Sequence, residues 1–258
     1  MTVTDAQVVD ALAAWLFPFF RIGALLMAAP VFSAASVPMR FRVLLALAVT
    51  ILVEPLLPRP ADVDPLSATA LVVLAQQVAI GVAIGFVLQL AFNALVFGGQ
   101  VVAYSMGLGF AHLMDPQNGV QVPTVSQFYL ILATIAFLAV DGHLRLLALL
   151  VESFTALPIA PDGITQNALW TLAVWGARLF ADGVLLGLPV VAALLLVNIG
   201  MGMVSRAAPQ LNIFAIGFPV TLGVGFVLLW VTLPQALGLF VDWVDVLFEL
   251  AASLWVAG

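Results

Sequence analysis

Lysine is absent from the 258 residues, and so is cysteine. Without cysteine there is no disulfide framework, no thiolate metal site and no cysteine nucleophile. Without lysine, seven arginines stand against thirteen acidic residues, for a formal net charge of −6. That balance speaks against nucleic acid and against adhesion to an anionic membrane surface as the basis of function. Charge of either sign is scarce, at 8% of residues, where a soluble domain carries about 25%. Hydrophobic residues make up 64% of the chain and the mean hydropathy is +1.23, which places it among membrane proteins. The first residues, MTVTDAQVVD, carry Asp5 and Asp10 and no basic start, so they are read as retained rather than as a secretory signal. No short repeat and no low-complexity tract interrupts the chain.

What is present is a series of apolar helices. A first is expected over residues 8–32, interrupted at Pro18 and Arg21, and a second over 39–57. The proline-rich turn PLLPRPADVDP closes the second as a helix boundary. From Leu66 to Ala103 the apolar run has no firm stop. As one helix it would be roughly 57 Å long, against a hydrocarbon core near 30 Å. The same excess recurs from Thr165 to Val204, where Gly176, Gly183, Gly187 and Pro189 offer places to bend. These runs are either helical hairpins or helices that leave the bilayer under a cover of protein. Residues 124–157 and 211–241 are nearer to ordinary helix lengths. The tail from Val241 sets Asp242, Asp245 and Glu249 on one helical face, opposite Trp243, Leu247, Leu250 and Leu254. Arg40 and Arg42 after the first helix, with Glu54, Asp62 and Asp64 after the second, place the 33–42 turn on the cytoplasmic side.

Charges inside such helices need a reason, since each costs about 2.5–3.5 kcal/mol at a bilayer centre. Asp141 and Arg145 are four residues apart, as are Arg178 and Asp182, so each pair can neutralise itself on one helix face. The alternatives are a proton or ion path and contacts to another subunit. Arg21 has no acid at helical spacing, and is expected to snorkel or to face another chain. His112 and His143, with Ser105 or Ser126, supply the letters of a serine hydrolase, but no nucleophile elbow surrounds either serine. Two histidines 31 residues apart make a poor metal site. Neither catalysis nor a metal nor a cofactor is expected. Gly81 and Gly85 permit close helix approach, a theme extended by Gly98, Gly99, Gly200 and Gly202. With Gln76, Gln77, Gln89, Asn93 and Gln100 they suggest a polar-flecked helix buried against protein, either within this chain or at a subunit contact.

One stretch is conspicuously irregular: GLGFAHLMDPQNGVQVP, residues 107–123, with Asp115-Pro116, Asn118-Gly119 and Pro123 and no basic residue. It cannot continue a helix. Irregular backbone at membrane depth is tolerated only where protein buries it or a water-filled cavity receives it, so this loop belongs inside something.

Three stretches resemble the FliR family, the export-gate component of flagellar type III secretion. They are MGLGFAHLMDP at 106–116, VDGHLRLLALLVESFTALPI at 140–159 and RAAPQLNIFAIGFP at 206–219. The last is the most specific. VFSAASVPMRFR and QQVAIGVAIGF extend the similarity over nearly the whole chain. Injectisome proteins of the SpaR, HrcT and YscT type share part of the APQLN run.

The resemblance implies an all-α, polytopic membrane subunit of a bacterial inner membrane, in the flagellar basal body, with long bent helices or helical hairpins. It resembles a fusion of FliP and FliQ, with residues 1–165 the FliP-like part and 166–258 the FliQ-like part. With FliP and FliQ it would form a helical ring around a pore for unfolded flagellar subunits, next to FlhB and FlhA, with lipid a lesser neighbour. In the family the segment matching 106–123 projects into the pore. Here Met106, Gly107, Leu108, Gly109, Phe110, Leu113, Met114, Asp115 and Pro116 would be its gating residues. Deformable apolar bulk excludes water, and with it ions, while yielding to a polypeptide. Arg206, Pro209, Gln210, Asn212, Gly217 and Pro219 are expected at a packing junction with a partner. The competing readings are the equivalent injectisome subunit, a stand-alone transporter whose path is lined by Asp141, Arg145, Arg178 and Asp182, and, more distantly, an intramembrane hydrolase.

Overall fold

The computed structural model describes residues 5–34, 36–58, 63, 67–109, 124–208, 210 and 213–254. Among these, all regular structure is helical. The helices are α1 (Asp5–Ala28), α2 (Met39–Val53), α3 (Ala68–Ser105), α4 (Thr124–Ala139), α5 (Gly142–Ala156), α6 (Gln166–Ala207) and α7 (Ile213–Ser253). A 3-10 turn, Glu54–Leu56, follows α2 at Pro55. Helices α3, α6 and the Ala215–Ser253 part of α7 are long and apolar enough to cross a membrane, so the chain is an all-α polytopic membrane protein.

The two overlong apolar runs are continuous helices of 38 and 42 residues rather than hairpins. At about 1.5 Å per residue each exceeds the thickness of a hydrocarbon core twofold. Pro189 lies inside α6, and Pro219 and Pro234 lie inside α7, which at 41 residues also takes in the acidic tail. Proline is tolerated in long apolar helices whose neighbours or side chains satisfy the freed carbonyl. Helix α1 likewise runs through Pro18. The stretch read as one helix over 124–157 is two. Asp141, with φ 55°, turns the chain into the left-handed region between α4 and α5, and its carbonyl accepts the N–H groups of Leu144 and Arg145 to start α5.

The chain forms two compact units. The first draws on Met1–Leu90, Asp141–Trp175 and Val244–Gly258. Its core holds Phe17, Ile22 and Leu25 of α1, Val73, Ile80 and Ile84 of α3, and Leu146, Leu150 and Phe154 of α5. Gly81 and Gly85 are used inside this unit. A Cβ on Gly85 would stand 2.7 Å from Ala28 Cβ and from Ala29 N, so only hydrogen lets α3 lie this close to α1. The second unit draws on Ala91–Val140 and Gly176–Trp243. Phe92 is its centre, edge-on to Phe137 at 5.6 Å and to Phe240 at 5.1 Å, a geometry that suits the ring quadrupoles. Gly98 of α3 and Gly183 of α6 meet backbone to backbone, while Gly99 faces Ser126 of α4. By contrast, a Cβ on Gly200 or Gly202 would meet nothing within 4 Å.

Burial is uneven among the long helices. Half of the most apolar stretch of α3 is buried within the chain, but only 22% of that of α6 and 17% of that of α7. Trp170, Leu185 and Leu196 of α6 and Phe226, Val227, Trp230 and Val231 of α7 are exposed. These two helices present apolar faces that the chain itself leaves uncovered.

Candidate functional site

The loop after α3 begins with a glycine-terminated helix end. Gly107 adopts φ 84°, its N–H donates to Tyr104 O at 3.0 Å, and the Leu108 N–H donates to Ala103 O at 3.0 Å. This is a Schellman pair, which satisfies the last carbonyls of α3 and turns the chain out of the helix. Only glycine enters that backbone region without a steric penalty. Met106 just before it is fully buried, and its side chain fills the place where Gly225 of α7 lacks one. Gly109 lies against the ring of Tyr104. The root of the loop is thus packed within the second unit. Phe110, Leu113, Met114, Asp115 and Pro116 lie outside the described residues, as does His112.

At the other sequence-marked segment, Arg206 sits in the last turn of α6, where a cation complements the helix dipole, and its side chain is exposed. Gln210 is exposed; Pro209 and Asn212 lie outside the described residues. Gly217 is buried with Met201 as its nearest neighbour, and Pro219 is exposed inside α7. Met203, Ile216 and Phe218 are also exposed.

This chain matches the model of the bacterial export proteins, family 1, over residues 12–247. It is 39% identical to the flagellar biosynthetic protein FliR of Pectobacterium carotovorum subsp. carotovorum, over 98% of each chain. The chain belongs to the FliR family. The FliR of Escherichia coli (strain K12) is also 39% identical, over 91% of this chain and 89% of that protein. The FliR of Bacillus subtilis (strain 168) is 27% identical, over 86% and 87%.

The charges of this FliR-family chain are arranged differently from their spacing. Arg178 and Asp182 do pair along α6, at 3.6 Å. Arg145 does not pair with Asp141. Its Nη1 meets Asp245 Oδ1 of α7 at 2.5 Å, and its guanidinium lies 4.3 Å from the centre of the Phe248 ring. The reason is Asp141's left-handed backbone: it lies at the break before α5, outside the helix that the i, i+4 rule presumes. With side chains 43% and 52% exposed, the Arg145–Asp245 pair lies on the surface of the first unit.

Arg21 corrects a second expectation, because it neither snorkels nor faces another chain. It is fully buried in the first unit. Its Nε donates to Gln77 Oε1 at 2.8 Å, Nη1 to Ser153 O at 2.8 Å and to Ser153 Oγ at 3.2 Å, and Nη2 to Leu157 O at 2.8 Å. The guanidinium also lies 4.1 Å from the centre of the Phe154 ring. One planar cation therefore ties α1 to α3, to α5 and to the turn beyond α5. Gln77 was the legible half of this arrangement, as a polar residue in an apolar helix. Gln76 packs against Gly163, whereas Asn93 is exposed, so the polar residues of α3 serve different surroundings. The serine hydroxyls are both occupied: Ser105 Oγ donates to Val101 O and Ser126 Oγ to Val96 O.

Proposed function

We propose that this chain is the structural and gating subunit of the flagellar protein export gate. It stands in the inner membrane at the flagellar basal body, and forms with FliP and FliQ the pore through which unfolded flagellar subunits pass. FlhB and FlhA act beside it, and the chain performs no catalysis of its own. The reading rests on the 39% identity to proteins named FliR across nearly the full length. The exposed apolar faces of α6 and α7 give it physical sense, since they are suited to helices of sister subunits. Residues 1–165 and 166–258 are its FliP-like and FliQ-like parts. Removing the chain from its host should abolish secretion of flagellar subunits into the medium at unchanged growth. Continued secretion would defeat the reading.

Within that gate, residues 106–122 form the plug; Met106, buried against Gly225, is its anchor, and the residues beyond it seal. The RAAPQLN run, with Arg206 and Gln210 exposed, together with Gly217 and Pro219, is the junction with a partner subunit. Arg206→Ala should lower recovery of FliP with the tagged chain several-fold while leaving the chain's own abundance unchanged. Full recovery of FliP would move the junction elsewhere.

A further inference from the structure

The first unit contains an apolar groove of about 400 Å³ between α1, α2 and α3. Phe19, Phe20, Gly23 and Met27 of α1 and Val82 of α3 line it, and Arg42 of α2 is its one charged lining residue. Arg42 Nη2 donates to Ser33 O at 3.0 Å and Ala34 O at 2.7 Å, which fixes the guanidinium against the α1–α2 turn. Its Nε is buried and has no hydrogen-bond partner. A cation held in place by two carbonyls through Nη2, with its buried Nε unpaired, calls for an anion. An apolar groove calls for a hydrocarbon. We infer that this groove binds one anionic phospholipid, with an acyl chain along Phe19, Met27 and Val82 and the phosphate at Arg42.

Charge favours this occupant over an apolar partner helix. Arg40, two residues before Arg42, is exposed but points to a different face of α2, so Arg42 alone serves the headgroup. Basic pockets between membrane helices on the cytoplasmic side take anionic headgroups in this way. The chain's net charge of −6 opposes broad adhesion to an anionic surface; a single headgroup needs only the local cation. Met27, Val43 and Val82, which line the groove, are themselves exposed, so hydrocarbon can reach it.

The test uses the full chain, in whatever assembly mild detergent extracts, stripped of lipid and then offered dioleoyl phosphatidylglycerol or dioleoyl phosphatidylcholine. Retention is read by native mass spectrometry. The glycerol lipid should be retained at least tenfold more than the choline lipid, and Arg42→Gln should remove that preference. Gly23→Leu gives an independent variant, because a Cβ there meets only Ala46 Cβ at 3.9 Å and the added side chain can fill the groove without moving backbone. It should abolish retention at an unchanged unfolding temperature. Equal retention of both lipids, or undiminished phosphatidylglycerol in either variant, would overturn the assignment. So would photocrosslinking from position 27 that captures a partner side chain and no lipid.

Discussion

Arg21→Leu is expected to destabilise the first unit by about 3–5 kcal/mol, seen as a steep fall in the thermal unfolding midpoint of the detergent-purified chain. Arg21 is fully buried, and removing it strands Gln77 Oε1 and the Leu157 carbonyl, while the Ser153 carbonyl keeps only the Leu157 N–H. Each buried acceptor left alone costs about 1–3 kcal/mol. Leucine recovers some apolar burial, but it is shorter than the guanidinium it replaces and leaves space beside Phe154. Arg21→Lys keeps the charge and loses the planar fork, since an ammonium cannot reach three differently placed acceptors and lie over a ring at once. It should fall between leucine and the parent. A leucine variant within about 1 kcal/mol of the parent would show that the network is incidental to stability, since ordinary surface substitutions reach about half of that.

Deleting Gly107–Gly119 in cells that lack the filament should raise permeability to small ions several-fold above that of the parent gate. The deletion removes the loop beyond Met106 but leaves Met106 itself seated under Gly225. Helix α3 keeps the Met106 contact but loses the Gly107 and Leu108 N–H groups that close its end, so recovery of the complex is measured alongside leakage. An apolar constriction blocks ions by excluding water, so its removal opens a wet path. Unchanged leakage from a normally assembled complex would count against a sealing role. A lost complex would instead assign the loop to assembly.

Local chemistry was the part of this fold that could be read in advance. The helix end at Gly107 follows from a glycine after an apolar run, and the boundary after α2 follows from Pro55. The acidic face of the tail also follows from its spacing: Asp242, Asp245 and Glu249 are exposed, while Leu247, Leu250 and Leu254 are buried. Long-range partners were not legible. The acceptors of Arg21 lie 56, 132 and 136 residues away, and nothing in their local sequence marks them as a set. Arg145 illustrates the opposite hazard, because Asp141 stood at an inviting spacing. The left-handed residue between α4 and α5 removed it from the helix, and an acid 100 residues distant took its place. Periodicity also could not separate a hairpin from a single long helix. That difference depends on the neighbours of Gly183 and Pro189 rather than on their own preferences.

The central claim is that the uncovered faces of α6 and α7 are meant for sister polypeptides around a conduit. Its most direct test is the composition of what a tagged chain brings with it from membranes in mild detergent. The account predicts a stable hetero-oligomer containing FliP and FliQ. A well-behaved monomer that carries a small solute across liposome membranes unaided would contradict it.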